Sequence, residues 1–150
     1  PGPGPGPGPR PVPCGPGSYA VLTATGPVTL EAGGAAAMTL QSGSGRCFSV
    51  TGNEIVLQSP GVYYAALSVD VPAQTAVDSV IGLQLNGVPV SPPQLEVVTP
   101  ATGESAMNYT GSGVFSASAG SVLQVVSSDA FSVPDTTAQP VLSLVLVRLR

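Results

Sequence analysis

The sequence predicts an all-β domain, a jelly-roll sandwich of about ten short antiparallel strands behind a Pro/Gly-rich tail. Three observations carry this. Apolar residues recur at every second position in short bursts. Gly, Pro and Asn turn signals separate the bursts at regular spacing. No stretch of about ten residues combines helical periodicity with caps, and residues 32–40 are broken by Gly33-Gly34.

The tail comes first. Residues 1–9 alternate Pro and Gly. A collagen triple helix needs Gly at every third position, so this stretch is not collagen in any register. As polyproline II, at ~3.1 Å per residue, it would reach about 28 Å. Residues 1–17 therefore read as a stalk or linker and residues 18–150 as the head domain. Within the head, residues 19–23, 28–30 and 38–40 are apolar bursts between Gly-Pro and Gly-Gly breaks. Residues 47–50 and 54–58 flank a hairpin loop at Thr51-Gly52-Asn53.

Pro60-Gly61 opens the clearest strand. Tyr63, Ala65, Leu67, Val69 and Val71 form one apolar face, while the other drifts from Val62 and Tyr64 through Ala66 to Ser68 and Asp70. Successive side chains of a strand point to opposite faces, so this strand is half-buried. Residues 72–76 read as a loop. Ile81, Leu83 and Leu85 share the next face, and Asn86-Gly87 is the strongest hairpin signal in the chain. Within residues 92–104 a strand is expected at 95–99. Met107, Tyr109 and Phe115 share a face of the following run, and Gly111 and Gly113 between them predict either a bulge or a close backbone approach. Ala119-Gly120 turns into a strand at 121–127, residues 129–139 are expected to be a loop, and residues 141–149 close the chain.

That last strand is apolar on both sides. Val141, Ser143, Val145, Val147 and Leu149 lie on one face, and Leu142, Leu144 and Leu146 followed by Arg148 lie on the other. An antiparallel sheet normally gives one face to water. One face here fills the core; the other needs a cover, and a subunit interface is the expected one. Leu142, Leu144, Val145, Leu146 and Val147 are accordingly the residues expected at the core or the interface, with the pattern leaving open which face is which.

Composition narrows the function. The charged fraction is 8%, against about a quarter in ordinary domains. Lys, His and Trp are absent, and the cations are Arg10, Arg46, Arg148 and Arg150. A net charge of −4 without clustered cations argues against nucleic acid. No apolar run reaches the ~18 residues of a membrane helix. A surface of Ser, Thr, Gln and Asn suits an exposed, protease-resistant protein. No secretory leader is visible and the chain begins at Pro1 rather than Met, so a fragment or processed product is expected.

No catalytic, cofactor or metal site is expected. General acid–base work would fall to carboxylates alone. Asp70, Asp78, Asp129 and Asp135 lie at strand ends or in loops, and Glu31, Glu54, Glu96 and Glu104 are scattered. Two cysteines without His exclude the common zinc sites, and no Asp-x-Asp loop marks a calcium site. Serines lack a His or Lys to activate them. Asn108-Tyr109-Thr110 matches the glycosylation acceptor pattern but falls in a predicted strand. Cys14 and Cys47 either pair within the chain, pair between chains, or stay reduced. The reach of the tail favours a stabilising bridge.

Order and spacing of several of these segments carry a resemblance. Residues 52–71, with Pro60-Gly61-Val62-Tyr63-Tyr64, resemble the central strand pair of the globular heads of complement and of the tumour necrosis factor ligands. Leu83-Gln84-Leu85-Asn86-Gly87 resembles that superfamily's next hairpin, residues 113–126 its penultimate strand pair, and residues 141–149 its closing inner strand. Residues 18–150 look most like the C-terminal heads of bacterial collagen-like surface glycoproteins, such as those of the spore exosporium. The resemblance implies a ten-stranded jelly roll that forms a homotrimer through its inner sheet at the end of a stalk. The expected function is then a non-enzymatic head at an extracellular, cell or spore surface. It would trimerise, cap the stalk and present adhesive loops to a host-surface protein or glycan. The alternative is a receptor-binding head, either soluble and ligand-like or at the tip of a phage tail fibre.

Overall fold

The computed structural model describes residues 14–43, 46–134 and 139–150. The Pro/Gly repeat and Asp135 lie outside these residues. The described chain forms β1 (Tyr19–Thr25), β2 (Val28–Leu30), β3 (Thr39–Gly43), β4 (Phe48–Thr51), β5 (Glu54–Leu57) and β6 (Gly61–Val71). It continues through β7 (Val77–Leu85), β8 (Val88–Thr99), β9 (Met107–Ala117), β10 (Ser121–Ser127), β11 (Phe131–Val133) and β12 (Pro140–Arg148). That is twelve strands against about ten expected. The expected loop at 129–139 contains β11, which pairs with β2 in a separate two-stranded ladder. Three residues are too few for a periodic signal, and tertiary pairing made the strand. The burst at 38–40 also shifts: Met38 is buried, but the strand begins at Thr39 and runs exposed to Gly43.

Two five-stranded antiparallel sheets face each other. The first has the order β3-β1-β12-β6-β9 and the second β4-β5-β10-β7-β8. Between them pack the inward positions of every long strand. Leu22, Tyr63, Leu67, Ile81, Leu83, Leu123, Leu144 and Leu146 are among the fully buried ones. Each such leucine or isoleucine contributes about 1.5–3 kcal/mol by leaving water. The alternation read in β6 holds along its length, with Tyr63, Ala65, Leu67, Val69 and Val71 all buried.

Asn86 and Gly87 both take positive φ, 51° and 81°. That is the type I′ turn the sequence calls for, and its twist matches the flanking strands β7 and β8. Past the turn, β8 carries Ser91-Pro92-Pro93, which has too few N–H groups to continue a ladder. The β7 partner therefore jumps from Gln94 opposite Gly82 to Val90 opposite Leu83. The Gln94 amide covers the gap by donating to the carbonyls of Leu83 and Val90, each at 3.0 Å. Prolines are tolerated because β8 is an edge strand.

The bulged segment closes the side of the sandwich. A Cβ on Gly113 would lie 2.0 Å from the Pro92 carbonyl oxygen, and one on Gly111 would lie 2.8 Å from the Leu95 side chain. The two glycines of β9 thus admit β8 from the other sheet at backbone distance. Of the two outcomes the sequence left open this is the close approach, since the β6–β9 register runs without a bulge.

Candidate functional site

The surface that stands out is the outward face of the first sheet. Its cross-strand rows follow from the register. Val21, Val145, Ala66 and Ser112 form one row, Tyr19, Val147, Tyr64 and Val114 a second, and Thr23, Ser143, Ser68 and Thr110 a third. These three rows hold only apolar, aromatic and hydroxyl side chains. The nearest charge on this face is Asp70, which accepts a hydrogen bond from the Asn108 amide at its far end. By contrast, the outward face of the second sheet carries Glu54, Asp78 and Glu96, as a water-facing sheet should. A shallow hollow of about 300 Å³ lies on the first face, lined by Tyr64, Ala66, Ser112, Ser143 and Val145 among others.

Of the residues expected at the core or interface, Leu142, Leu144 and Leu146 point inward and are fully buried. Val145 and Val147 point outward and are half-buried. The single strand pattern therefore divides into a leucine face for the core and an outward face of Ser143, Val145 and Val147, while Val141 at the strand's start is buried. Tyr64, Ala66, Val114 and Val21 complete the surface and escaped the sequence reading. The even positions of β6 do show Tyr64 and Ala66 as apolar, but polar Ser68 and Asp70 on the same face masked the signal.

The opposite feature is the base, where the first and last described residues lie, Cys14 and Arg150. Cys14 and Cys47 form a disulfide with their Cα atoms 4.9 Å apart, and the Cys47 side chain is fully buried. The Arg148 guanidinium donates to the carbonyls of Cys14 and, at 2.7 Å, Pro60. Its main chain pairs with Gly17 and Ser18 at 2.7 and 2.8 Å. The Val62 amide donates to the Arg150 carbonyl at 2.7 Å. So Cys14–Gly17, assigned to the linker on composition, are fastened onto the head. Tyr63 lies beneath, its hydroxyl donating to Ser59 O at 2.6 Å. Burial pushes this hydroxyl above its ordinary pKa, and the Arg148 charge draws it partly back.

The distal end, where β6, β8 and β10 finish and β7, β9 and β12 begin, has the reverse polarity. Asp70, Asp78, Glu96, Glu104 and Asp129 lie on or near it. All three described arginines, Arg46, Arg148 and Arg150, are at the base beside the disulfide and the closing strand. Among the described residues no group of three His, Cys, Asp or Glu is placed to hold a metal ion. The buried hydroxyls of Ser79 and Ser127 bond each other at 2.6 Å and the Asp129 main chain, and face no base. No described helix is long and apolar enough to cross a membrane.

No protein-family model matches the chain, and no curated protein matches it in sequence. Its fold is similar to solved structures. Murine APRIL at pH 5.0 superposes with a TM-score of 0.66 at 13% identity, over 87% of this chain and 98% of that one. Eiger TNF from S. frugiperda gives 0.68 at 15% identity, over 90% and 94%. The globular domain of zebrafish complement 1qA protein gives 0.58 at 13% identity, over 87% and 93%. The chain therefore has the jelly-roll head fold of the tumour necrosis factor and complement globular heads.

Proposed function

We propose that this chain is a non-enzymatic head that assembles as a homotrimer through the outward face of its first sheet, caps a Pro/Gly-rich stalk and presents its distal loops. The observation that carries the reading is that face. Three cross-strand rows over β1, β12, β6 and β9 are free of charge and centred on Val145, Tyr64 and Ala66. A sheet face meant for water would carry charges, as the second sheet's does. The superfamily resemblance of the sequence points to the same face, since the closing strand would be its inner strand. The disulfide suits an oxidising, extracellular setting, and a cell or spore surface with a collagen-like stalk upstream is the context we assign. Cys14, the first described residue, is fastened at the base, so in a trimer three tails joined there would start together, opposite the loops that meet a host-surface protein or glycan.

Sedimentation and light scattering at tens of micromolar test this. The wild-type protein is expected at three times the chain mass. Val145→Asp is expected to give a folded monomer, because dissociation returns the charge to water. A wild-type monomer, or a Val145→Asp trimer, would falsify the assembly.

A further inference from the structure

We propose that the distal loops form a docking groove for one arginine or lysine side chain on a basic segment of a partner protein. This deepens the reading above, since it rests on the distal end being the presented one. The groove lies where the 72–76 loop meets the 100–106 loop and holds about 230 Å³. Pro72, Val98, Pro100 and Met107 give it apolar walls, and Gln74 and Glu104 bring polar groups to it. Val98 is 59% exposed and Met107 45%. Lone exposed apolar residues need no explanation; two sharing one groove with two prolines form a patch.

The groove is built before any ligand arrives. The Gln74 main-chain N–H donates to Gly103 O at 2.8 Å, and the buried Thr99 hydroxyl to Thr75 O at 2.6 Å. Gly103 N closes a turn onto Pro100 O at 3.2 Å, and the Tyr109 hydroxyl holds Val98 O at 2.7 Å. Loops pinned in this way lose little freedom on binding.

Size and charge select the occupant. Sites for drug-sized molecules run to about 300–1,000 Å³, so this groove suits a single side chain. Asp70, Asp78, Glu96 and Asp129 lie around the same end with no described cation among them, and every described arginine is at the base. The field there draws in positive charge. An arginine or lysine side chain combines a long apolar stem with a charged head. The stem would lie along the proline, valine and methionine walls while the head meets the Glu104 carboxylate. An aliphatic side chain would gain nothing from the exposed carboxylate, and an acidic one would be repelled.

The test titrates isotope-labelled full-chain protein with a capped Val-Arg-Val tripeptide and with its citrulline counterpart, which keeps the shape and removes the charge. Saturable shifts are expected at the Val98 and Met107 methyls and the Gln74 and Gly103 amides. Binding should weaken about tenfold with citrulline, by a similar factor in Glu104→Gln, and further as salt rises from about 50 to about 300 mM. Glu104 is an exposed loop residue, so the variant keeps its fold. Shifts centred on the base, equal response to both peptides, or response only to a neutral oligosaccharide run in parallel would each overturn the proposal. Sedimentation of the same samples separates the two readings. Trimers that ignore the tripeptide refute the groove alone, and monomers that bind it refute the assembly alone.

Discussion

Tyr63 ties the core to the base through one proton. Its ring lies 5.9 Å from Phe115, nearly parallel, and 6.0 Å from Phe48, edge-on. Its hydroxyl must stay protonated to donate to Ser59 O. Burial raises its pKa in the fold, against the Arg148 charge that lowers it. A raised pKa means the protonated form is favoured by folding. That contribution is complete below the unfolded value of about 10 and is lost as pH rises through the folded value. Tyr63→Phe should cost about 1 kcal/mol at neutral pH, the lost hydrogen bond. The gap between variant and wild type should narrow as pH passes about 10. Thermal melts from pH 8 to 11 measure it, and a constant gap would count against this role. Arg148 shows what a residue pattern omits. Its partners are the carbonyls of Cys14 and Pro60, separated from it by 134 and 88 residues, and nothing local foretells them.

Among the strands, β12 shows how one pattern serves two surfaces. It sits between β1 and β6 in the first sheet, so both its edges are paired and its two faces decide its fate. Leu144 is fully buried against the second sheet, whereas Val145 lies in the uncharged outward rows. Leu144→Ala should therefore cost about 2–5 kcal/mol, the range for a buried leucine that leaves a cavity. Leu144→Asp should abolish cooperative unfolding, because an unpaired core charge takes much of a domain's ~5–15 kcal/mol. Circular dichroism with denaturant titration reads both. A Leu144→Asp protein as stable as wild type would show that the leucine face is not the core. The strand β8 makes the complementary point. Its prolines demote it on local rules, yet the Gln94 amide bridges the interrupted ladder and Gly111 and Gly113 make room for it.

At the scale of the whole molecule, the sandwich is polarised along its strands. The base holds the described cations, the disulfide and the first and last described residues, Cys14 and Arg150; the distal end holds carboxylates and pinned loops. Cys14 and Cys47 are 33 residues apart. In the chain-entropy account a crosslink over such a loop stabilises by about 3–4 kcal/mol. Paired replacement of both cysteines by serine should lower stability by about that amount and release Cys14–Gly17, leaving the two-sheet fold intact. Denaturant unfolding of the variant, beside wild type with and without reductant, checks this. If reduced and oxidised protein unfold at the same midpoint, the bridge carries no stability.

By itself the sequence determined the sandwich, because period-two alternation and turn chemistry act over neighbouring residues and survive without knowledge of partners. It determined β6 and its buried face and the Asn86-Gly87 turn, and it marked Gly111 and Gly113 as a bulge or a tight passage, a choice that packing against β8 made. It also determined that β12 is apolar on both sides. Only the tertiary structure decided which side is the core, since Leu and Val faces are equally apolar until a second sheet covers one of them. Pairing across long chain separations made β11 a strand and set Arg148 over Cys14 and Pro60. The same long-range pairing placed Tyr64, Ala66, Val114 and Val21 beside Val145, and brought the 72–76 loop against Glu104. Those contacts depend on sheet order, which no local pattern encodes.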